Sequence, residues 1–385
     1  MKTLILGVGL QGSVLAEEMT KSDRVSEVII GDRDIQRLKS QEKLMRGRVE
    51  TALVDVRDRG ELVKLMEDVD LVVNGTDWRQ NHIVTEAAVD ACVNLIDMGT
   101  IFDDVLERQL KLDEAAEDAG LTIIPCCGLS PGITNLLAWH GAEKLDRVEE
   151  VHIRCGGIPQ NPKPPLGYKT VWSLEGVIDE YTERVKTIRN GKTEYVDPLT
   201  GLETIEFANP KRVYECFYTQ GLSTLPDTVK EAREMDYKTV RHIGHCEKIR
   251  TLVELGFTSS GPVNVNGNEV KPRNLLIRLL QPILDLGCDR DMVVLRVSVS
   301  GERRGKRTRV VFEMLDLFDE ADGVTAMSRT TVYPCSIVAE MMMRGEVRDK
   351  GVLPPEKAVP FEPFMAELAK RNIHIEEKTE QLTWD

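Results

Sequence analysis

The sequence lacks the features that mark membrane, secreted and nucleic-acid-binding proteins. No apolar run among its 385 residues reaches the ~20 residues of a membrane-spanning helix, and the N-terminus has no charged-then-apolar leader. Basic side chains are the minority, with 50 Lys and Arg against 64 Asp and Glu, which gives a net charge of −14. Such a surface repels nucleic acid and anionic lipid, so we expect neither nucleic acid nor a membrane as a partner.

The cysteines also lack a pattern. None of the eight forms a C-x-x-C pair, which argues against a disulfide framework and favours a reducing, cytoplasmic compartment. His242 and His245 form an H-x-x-H pair without a third ligand, so no metal site is expected. At 385 residues the chain is too long for one typical domain, and two domains are the natural expectation.

The strongest pattern that is present lies in the first 32 residues. Lys2–Leu6 is a short apolar run that predicts a buried strand, and a helical run then leads to a second strand that ends at Asp32. Between the first strand and the helix stand three glycines in the order G-x-G-x-x-G: Gly7, Gly9 and Gly12. This order of elements predicts a dinucleotide-binding site: a strand, a glycine turn, a helix, and a second strand that ends in an acidic residue.

Each part of this motif has a mechanical reason. The first glycine allows a tight turn, the second lets a pyrophosphate approach the backbone, and the third lets the helix lie close to the strand. Backbone N–H groups at the start of the helix, at Leu10 and Gln11, then hold the phosphates. Asp32 can accept hydrogen bonds from ribose hydroxyls and would repel a 2′-phosphate, whereas Arg33 can bind one. NAD is therefore favoured over NADP as the cofactor.

Strands alternate with helices as far as residue 124, which predicts a doubly wound parallel sheet of the α/β class. Ligands of such sheets bind beyond the carboxyl ends of the strands. The residues that follow or end the third, fourth and fifth strands are therefore expected at the cofactor: Asp55, Val56, Gly75, Thr76 and Asp97.

Beyond the sixth strand the pattern changes. Residues 126–132 read as a turn that opens a helix, with Ser130 as its cap and Pro131 in its first turn. Residues 292–300 and 309–318 alternate with a period near two and predict an antiparallel pair. A second, α+β domain with a mixed sheet of its own is the expectation.

Several blocks of the sequence resemble the saccharopine dehydrogenase-like family, most closely its lysine 6-dehydrogenase members. The resemblance covers essentially the whole chain and rests on the order and spacing of the blocks. Besides the glycine motif, they are VVN at 72–74, IDMG at 96–99, SPG at 130–132 with Asn135, GGIP at 156–159, SLEG at 173–176, YKTVR at 237–241 with GH at 244–245, and PPE at 354–356.

In this family the C-terminal segment completes the nucleotide-binding domain. The resemblance therefore implies a Rossmann NAD(P)-binding domain made of residues 1–125 and 335–385. It implies an inserted substrate-binding and dimerisation domain at residues 126–334. Family members are usually homodimers, so a homodimer or a higher homo-oligomer is implied as well.

The resemblance also implies the reaction: NAD-dependent oxidation of the ε-amine of lysine or a lysine-derived amino acid, with release of ammonia. Two alternatives stay open. One is an NADP-dependent reductive condensation of an aldehyde with an amine, as in saccharopine reductases and carboxynorspermidine synthesis. The other, of a different class, is a non-catalytic NAD-sensing protein on the same fold.

Amine oxidation needs a group that handles protons, and an amino-acid substrate needs a cation for its carboxylate. The candidates for catalysis are Asp97, His245 and Tyr168. The candidates for substrate binding are Arg241, Lys238 and Asn135. Histidine titrates near neutrality and suits a general base, and a guanidinium pairs with a carboxylate through two parallel hydrogen bonds.

Each candidate has a structural alternative. Asp97 can be a capping or loop acid, and Arg241 can belong to a surface ion pair. Tyr168 can pack at the end of a loop, and Lys238 can be a solvated strand residue. The sequence alone leaves these alternatives open.

Overall fold

The computed structural model describes residues 1–382, which divide into two compact units. Unit 1 consists of Met1–His140, Ser223–Thr228 and Ser328–Ile373. Unit 2 consists of Gly141–Leu222, Val229–Met327 and the chain from His374 onward. The chain therefore passes from one unit to the other five times.

The first part of the chain alternates strands and helices. Its elements are β1 Lys2–Leu6, α1 Leu10–Met19, β2 Glu27–Asp32, α2 Ile35–Leu44, β3 Glu50–Leu53, α3 Arg59–Met66, β4 Leu71–Asn74, a 3₁₀ turn Trp78–Gln80, α4 Asn81–Asp90, β5 Asn94–Asp97, α5 Asp103–Leu110, α6 Asp113–Asp118, β6 Thr122–Ile124 and α7 Ile133–Glu143.

The remaining elements follow in two groups. The first group is β7 Arg147–Pro159, α8 Leu174–Glu180, β8 Val185–Arg189, β9 Lys192–Val196, β10 Glu203–Phe207, β11 Arg212–Tyr218, α9 Leu225–Thr228, β12 Glu234–Arg241, α10 His245–Glu254, β13 Val263–Val265, β14 Asn268–Val270, α11 Pro272–Leu284, β15 Asp291–Arg303 and β16 Lys306–Leu317. The second is α12 Ala326–Met343, β17 Gly351–Val352, α13 Pro355–Ala358, α14 Phe361–Lys370 and β18 Ile375–Gln381.

Unit 1 contains a parallel sheet of seven strands in the order β17-β6-β5-β4-β1-β2-β3. The chain leaves β1 toward β2 on one side and reaches β4 on the other, so the strand order reverses at β1, where such sheets bind ligands. Buried apolar side chains form the core of the sheet, among them Leu4, Leu6, Val72 and Ile123. The predicted α/β fold class and the completion of the sheet by the C-terminal segment are confirmed.

Unit 2 contains a mixed sheet in the order β10-β11-β12-β7-β15-β16-β18, and β8 and β9 extend it beside β12. Strands β12 and β7 run parallel, while β15 runs antiparallel to both β7 and β16. The predicted antiparallel pair is β15 with β16. A separate small hairpin is formed by β13 and β14.

The compact units differ from the predicted domain bounds of 1–125 with 335–385 and of 126–334. Residues 126–140 and 223–228 lie in unit 1, and β18 joins the unit 2 sheet by pairing with β16. The predicted functions of the two domains, cofactor binding and substrate binding with dimerisation, stay predictions. None of the described helices is long and apolar enough to cross a membrane.

Candidate functional site

The glycine turn lies at the carboxyl end of β1. Gly7 has a left-handed φ of +83°, and its N–H donates to the carbonyl of Gly31 at 2.7 Å. A Cβ on Gly12 would lie 1.8 Å from the carbonyl oxygen of Gly7, so α1 can pass this close only without a side chain there. A Cβ on Gly9 would meet no heavy atom within 4 Å. The turn is thus closely packed at Gly12 and open at Gly9. The open backbone at Gly9 fits the close approach of a pyrophosphate.

Two segments flank the glycine turn. Helix α1 begins at Leu10, which is 66% exposed, and Gln11 follows in its first turn. A Cβ on Gly75, after β4, would lie 3.5 Å from the Cα of Gly12, so this loop packs against the turn. Thr76 is fixed there because its N–H and its hydroxyl both donate to the side-chain oxygen of Asn74, at 3.1 and 2.7 Å. The structure therefore brings these predicted cofactor-binding residues together.

Asp32 ends β2 and helps to hold the glycine turn. One carboxylate oxygen accepts a hydrogen bond from the N–H of Val8 at 2.9 Å, and the other accepts one from the N–H of Asp34 at 2.8 Å. Arg33 beside it is exposed. Asp32 therefore has a structural task in addition to the predicted ribose contact.

Asp55 and Val56 follow β3, at the same edge of the sheet. The hydrogen bonds that Asp55 receives from Arg57, with the nearby charge of Arg33 as a smaller contribution, hold the pKa of the Asp55 carboxyl well below its usual value. This carboxyl is therefore ionised at physiological pH. The positive charges of Arg33 and Arg57 stand at the edge where the adenosine half of a dinucleotide binds in this fold.

Asp97 ends β5 and is only 1% exposed. One of its oxygens accepts hydrogen bonds from the N–H groups of Gly99 and Cys126, at 2.7 and 2.9 Å, and the other accepts one from the side-chain amide of Gln109 at 2.7 Å. Burial raises the pKa of Asp97. These contacts argue for a role in positioning the turn after β6, and against the predicted role at the substrate ammonium.

The turn after β6 differs from its predicted form. Helix α7 begins at Ile133, so Ser130 is not its cap and Pro131 is not in its first turn. The N–H of Ile133 instead donates to the carbonyl of Gly128 at 2.9 Å. A Cβ on Gly132 would lie 1.9 Å from the same oxygen, so the segment closes on itself before the helix starts.

Asn135 belongs to a buried network of unit 1. Its amide N–H donates to the hydroxyl of Thr224 at 3.1 Å, and that hydroxyl donates to Glu356 Oε1 at 2.6 Å. Thr228 donates to the same oxygen at 2.9 Å. Burial raises the pKa of Glu356. The sequence indicated Glu356 only as part of a family block, and nothing in its spacing linked it to Asn135.

In unit 2, the structure brings Arg241, His245 and Tyr168 together. The Arg241 guanidinium is buried, and its Nε donates to the hydroxyl of Tyr181 at 3.0 Å while Nη2 donates to Glu180 Oε2 at 3.2 Å. The guanidinium carbon also lies 4.9 Å from the centre of the Tyr168 ring. Arg241 is therefore the centre of an internal cluster, not a member of a surface ion pair.

His245 lies at the edge of this cluster. Its Nε2 is 3.0 Å from the Tyr181 hydroxyl and its Nδ1 is 3.0 Å from the carbonyl of Leu166. Because Arg241 donates to the hydroxyl, the consistent arrangement has Tyr181 donating to Nε2 and Nδ1–H donating to Leu166. Burial, with the charge of Arg241, lowers the pKa of His245 to about 3. These contacts and the low pKa argue against the predicted role of His245 as a general base near neutral pH.

Glu180 is the acidic residue of the cluster and was missed by sequence reasoning. Burial raises the pKa of Glu180 to about 7, although the charge of Arg241 opposes the shift. Burial also raises the pKa of Tyr168, to about 12. The only signal in the sequence was the position of Glu180 at the end of the helix that opens with the SLEG block.

Lys238 lies on the other face of β12. Side chains alternate along a strand, so positions 238 and 241 point to opposite faces. The Lys238 ammonium donates to Glu203 Oε2 and to the carbonyl of Gly201, both at 2.7 Å. The structure therefore does not bring Lys238 together with Arg241, and the predicted substrate contact has no support from its position.

Comparison with known families accounts for both halves of the chain. The model of the saccharopine dehydrogenase NADP binding domain matches residues 3–124, and that of the saccharopine dehydrogenase C-terminal domain matches residues 128–373. The chain belongs to the saccharopine dehydrogenase family. It is an enzyme of the NAD(P)-dependent dehydrogenase kind.

Individual relatives are distant. Saccharopine dehydrogenase (NADP(+), L-glutamate-forming) of Schizosaccharomyces pombe is 24% identical over 84% of this chain and 87% of its own. Carboxyaminopropylagmatine dehydrogenase of Synechocystis is 23% identical over 97% of this chain and 96% of its own length. The apo saccharopine dehydrogenase (L-Glu forming) of Saccharomyces cerevisiae superposes with a TM-score of 0.81 at 21% identity, over 98% of this chain and 99% of that one. The chain spans 47% of several longer relatives.

Proposed function

We propose that this enzyme oxidises a C–N bond of lysine or a lysine-derived amino acid, removing the ε-amine as lysine 6-dehydrogenases do. The observation that carries the proposal is Glu180, a buried carboxyl whose pKa lies near neutrality, held by Arg241 in a cluster of aromatic side chains. An amine arrives as an ammonium ion and must lose a proton before it can give up hydride. A carboxyl that titrates near pH 7 suits that task.

The residues divide the work as follows. Glu180, as a carboxylate, accepts the proton of the substrate ammonium and leaves a neutral amine. Arg241 holds the carboxylate by its hydrogen bond, and Tyr181 and His245 fix the guanidinium in turn. A dinucleotide held at the glycine turn and Asp32 would supply the acceptor for the hydride that leaves the carbon bearing the nitrogen. Water then adds to the resulting C=N bond, and ammonia leaves.

A substrate panel tests the proposal. We expect lysine to support reduction of NAD or NADP, and saccharopine or other diamines to be poorer substrates. Glu180→Gln should lower kcat/KM by about 10²–10⁴-fold, as expected for the loss of a general base. The matched control is Glu175→Gln, on the exposed face of the same helix α8, which should keep its activity. An inactive parent with every amine, or an active Glu180→Gln variant, would refute it.

The second candidate is reductive condensation of an aldehyde with an amine. It is favoured by two of the relatives, an NADP(+)-dependent saccharopine dehydrogenase and a carboxyaminopropylagmatine dehydrogenase. In this direction Glu180 would donate a proton to the product amine instead of accepting one from a substrate ammonium. NADPH consumption that requires both an aldehyde and an amine, with no reaction of lysine and NAD, would favour this candidate over the first.

The choice of cofactor rests on Asp32 and Arg33. We propose that Asp32 favours NAD and that Arg33 is the group through which NADP is accepted, as the NADP binding name of the matching family model suggests. Arg33→Ala should raise KM for NADP at least tenfold and leave KM for NAD within about twofold. Equal effects on both cofactors would contradict this division of roles.

A further inference from the structure

Three loops of unit 1 follow the carboxyl ends of β4, β5 and β6. The strand order reverses at β1, and Asp32 on the β2 side stands where an acid binds the adenosine ribose in this fold. The other half of a dinucleotide, which carries the nicotinamide, therefore belongs on the side of β4 and β5. The way in which these loops are held decides how that half of the cofactor is received.

Asn81 joins the first two of these loops. It begins helix α4 and is 2% exposed. Its side-chain oxygen accepts a hydrogen bond from the amide of Asn74 at 3.0 Å, and its amide donates to the carbonyl of Gly99 at 3.1 Å. Asn74 in turn holds Thr76. One buried side chain thus connects the loop after β4 with the loop after β5.

Gln109, on helix α5, reaches the same group of hydrogen bonds from a second helix. It is fully buried, and its amide nitrogen donates to Asp97 Oδ2 at 2.7 Å and to the hydroxyl of Thr85 at 2.9 Å. That hydroxyl donates its own hydrogen to the carbonyl of Asn81 at 2.8 Å. The nitrogen of the Gln109 amide, and not its oxygen, must therefore face the hydroxyl.

These hydrogen bonds close into a ring. Asp97 accepts from the N–H of Gly99, in the loop after β5, and from the N–H of Cys126, in the turn after β6. Because the members are buried, none of the three loops can move without breaking a hydrogen bond away from water. The ring runs from Asn81 through Gly99, Asp97, Gln109 and Thr85 back to Asn81.

The ring includes one group that costs stability. Gln109 Oε1 is buried, and nothing within residues 1–382 donates a hydrogen bond to it. A buried carbonyl oxygen without a partner is destabilising, whereas an apolar side chain of the same shape carries no such group. A local cost of this kind is expected where a side chain serves function, so the Gln109 amide is a candidate for a functional role.

We propose that Asn81 and Gln109 are positioning residues for the nicotinamide half of the dinucleotide. Both are too deeply buried to reach the cofactor, and they act by fixing the loops after β4, β5 and β6 in the arrangement that receives it. A surface that is already ordered spends less of its binding energy on ordering. This role concerns cofactor binding alone and does not depend on which C–N bond the enzyme oxidises.

Paired ligand titrations test this role. NADH carries both halves of the dinucleotide, whereas ADP-ribose lacks the nicotinamide. We expect Asn81→Leu and Gln109→Met, which keep the size of each side chain, to raise Kd for NADH about tenfold or more while Kd for ADP-ribose stays within about twofold. Thr85→Val removes the hydroxyl of the ring and should act in the same direction. NADPH and 2′-phospho-ADP-ribose replace this pair if the parent binds NADPH more tightly.

Val84→Ala is the matched control, because Val84 is buried in the apolar core on the same helix α4 and takes no part in the ring. It should lower the urea midpoint of unfolding and leave the ratio of the two Kd values unchanged. Ring variants that weaken both ligands equally, or that weaken neither, would overturn the proposed role. A loss of NADH affinity alone, in an enzyme that oxidises no amine, would support this role and refute only the proposed reaction.

Discussion

Among single residues, two glycines of the same turn have opposite surroundings. A side chain on Gly12 would collide with the Gly7 carbonyl at 1.8 Å, whereas a side chain on Gly9 would enter open space. We expect Gly12→Ala to lower the free energy of unfolding by about 1–3 kcal/mol or more, because backbone must move. Gly9→Ala should cost less than about 1 kcal/mol but weaken cofactor binding at least tenfold. Urea unfolding and a fluorescence titration with the reduced cofactor separate the two effects.

Glu356 allows a prediction about pH. Its burial raises its pKa, so the folded protein holds this proton at pH values where the unfolded chain has lost it. The stabilisation that it contributes is complete below about pH 4, the unfolded value, and is lost as pH rises through the folded pKa. Glu356→Gln has no proton to lose, so its stability relative to the parent should increase as the pH rises from about 4 through the folded pKa of Glu356.

Urea unfolding at several pH values measures this difference, with the exposed Glu362→Gln as the control. A stability difference that stays constant across the range would contradict the raised pKa of Glu356. A difference of the opposite sign would mean that the ionised carboxylate is the better partner of Thr224 and Thr228.

Sequence reasoning at the residue scale identified types of side chain better than their surroundings. Arg241, His245 and Tyr168 were all selected and do lie together. Their burial was not visible in the sequence, and burial is what lowers the pKa of His245 and raises that of Glu180. Asp97 was expected to face the substrate because it ends a strand, but nearby N–H groups occupy it.

At the scale of elements, strand β12 carries different interactions on its two faces. Arg241 is buried with Glu180, whose carboxylate is 12% exposed, while Lys238 pairs with Glu203, which is 42% exposed. Arg241→Met should cost about 3–5 kcal/mol of unfolding free energy, since it leaves a buried carboxyl without its cation. Lys238→Met should cost far less, because Glu203 can turn to water. Equal losses in urea unfolding would contradict this difference between the faces.

The elements themselves were predicted where the periodicity was regular. Six strands of the unit 1 sheet and the antiparallel pair β15 and β16 follow from short apolar runs and from alternation. The seventh strand, β17, was implied only by the family resemblance, which added the C-terminal segment to this domain. The start of α7 was predicted wrongly, because Ser-Pro reads locally as a helix start. The close approach of Gly132 to Gly128 decides that segment, and no local pattern reveals it.

For the whole molecule, cofactor binding should be visible as added stability. A ligand that binds only the folded state at 100 times its Kd adds about 2.7 kcal/mol. We expect NAD or NADP to raise the unfolding temperature of the parent, and the Gly9→Ala variant to show little of this increase at the same concentration. Calorimetry measures both, and an increase of equal size in the two proteins would show that the ligand binds elsewhere.

The predicted domain bounds assumed that each domain is made of long continuous segments. The compact units are set by contacts in space, and they divide the chain more finely. Ser223–Thr228 lies in unit 1 and the segment from His374 lies in unit 2, whereas the predicted bounds placed each in the other domain. A six-residue excursion leaves no compositional trace, so the sequence could show that there are two units without showing where each begins and ends.

Strand β17 has a consequence for how the protein is made. It supplies the outermost strand of the unit 1 sheet but consists of Gly351 and Val352, some 230 positions after its neighbour β6 at Thr122–Ile124. During translation, which proceeds at ~5–20 residues per second, the edge of β6 waits unpaired for about ten seconds or more after it leaves the ribosome. An edge left bare for that time is open to wrong partners, so we expect the nascent chain to need protection from aggregation until β17 has emerged.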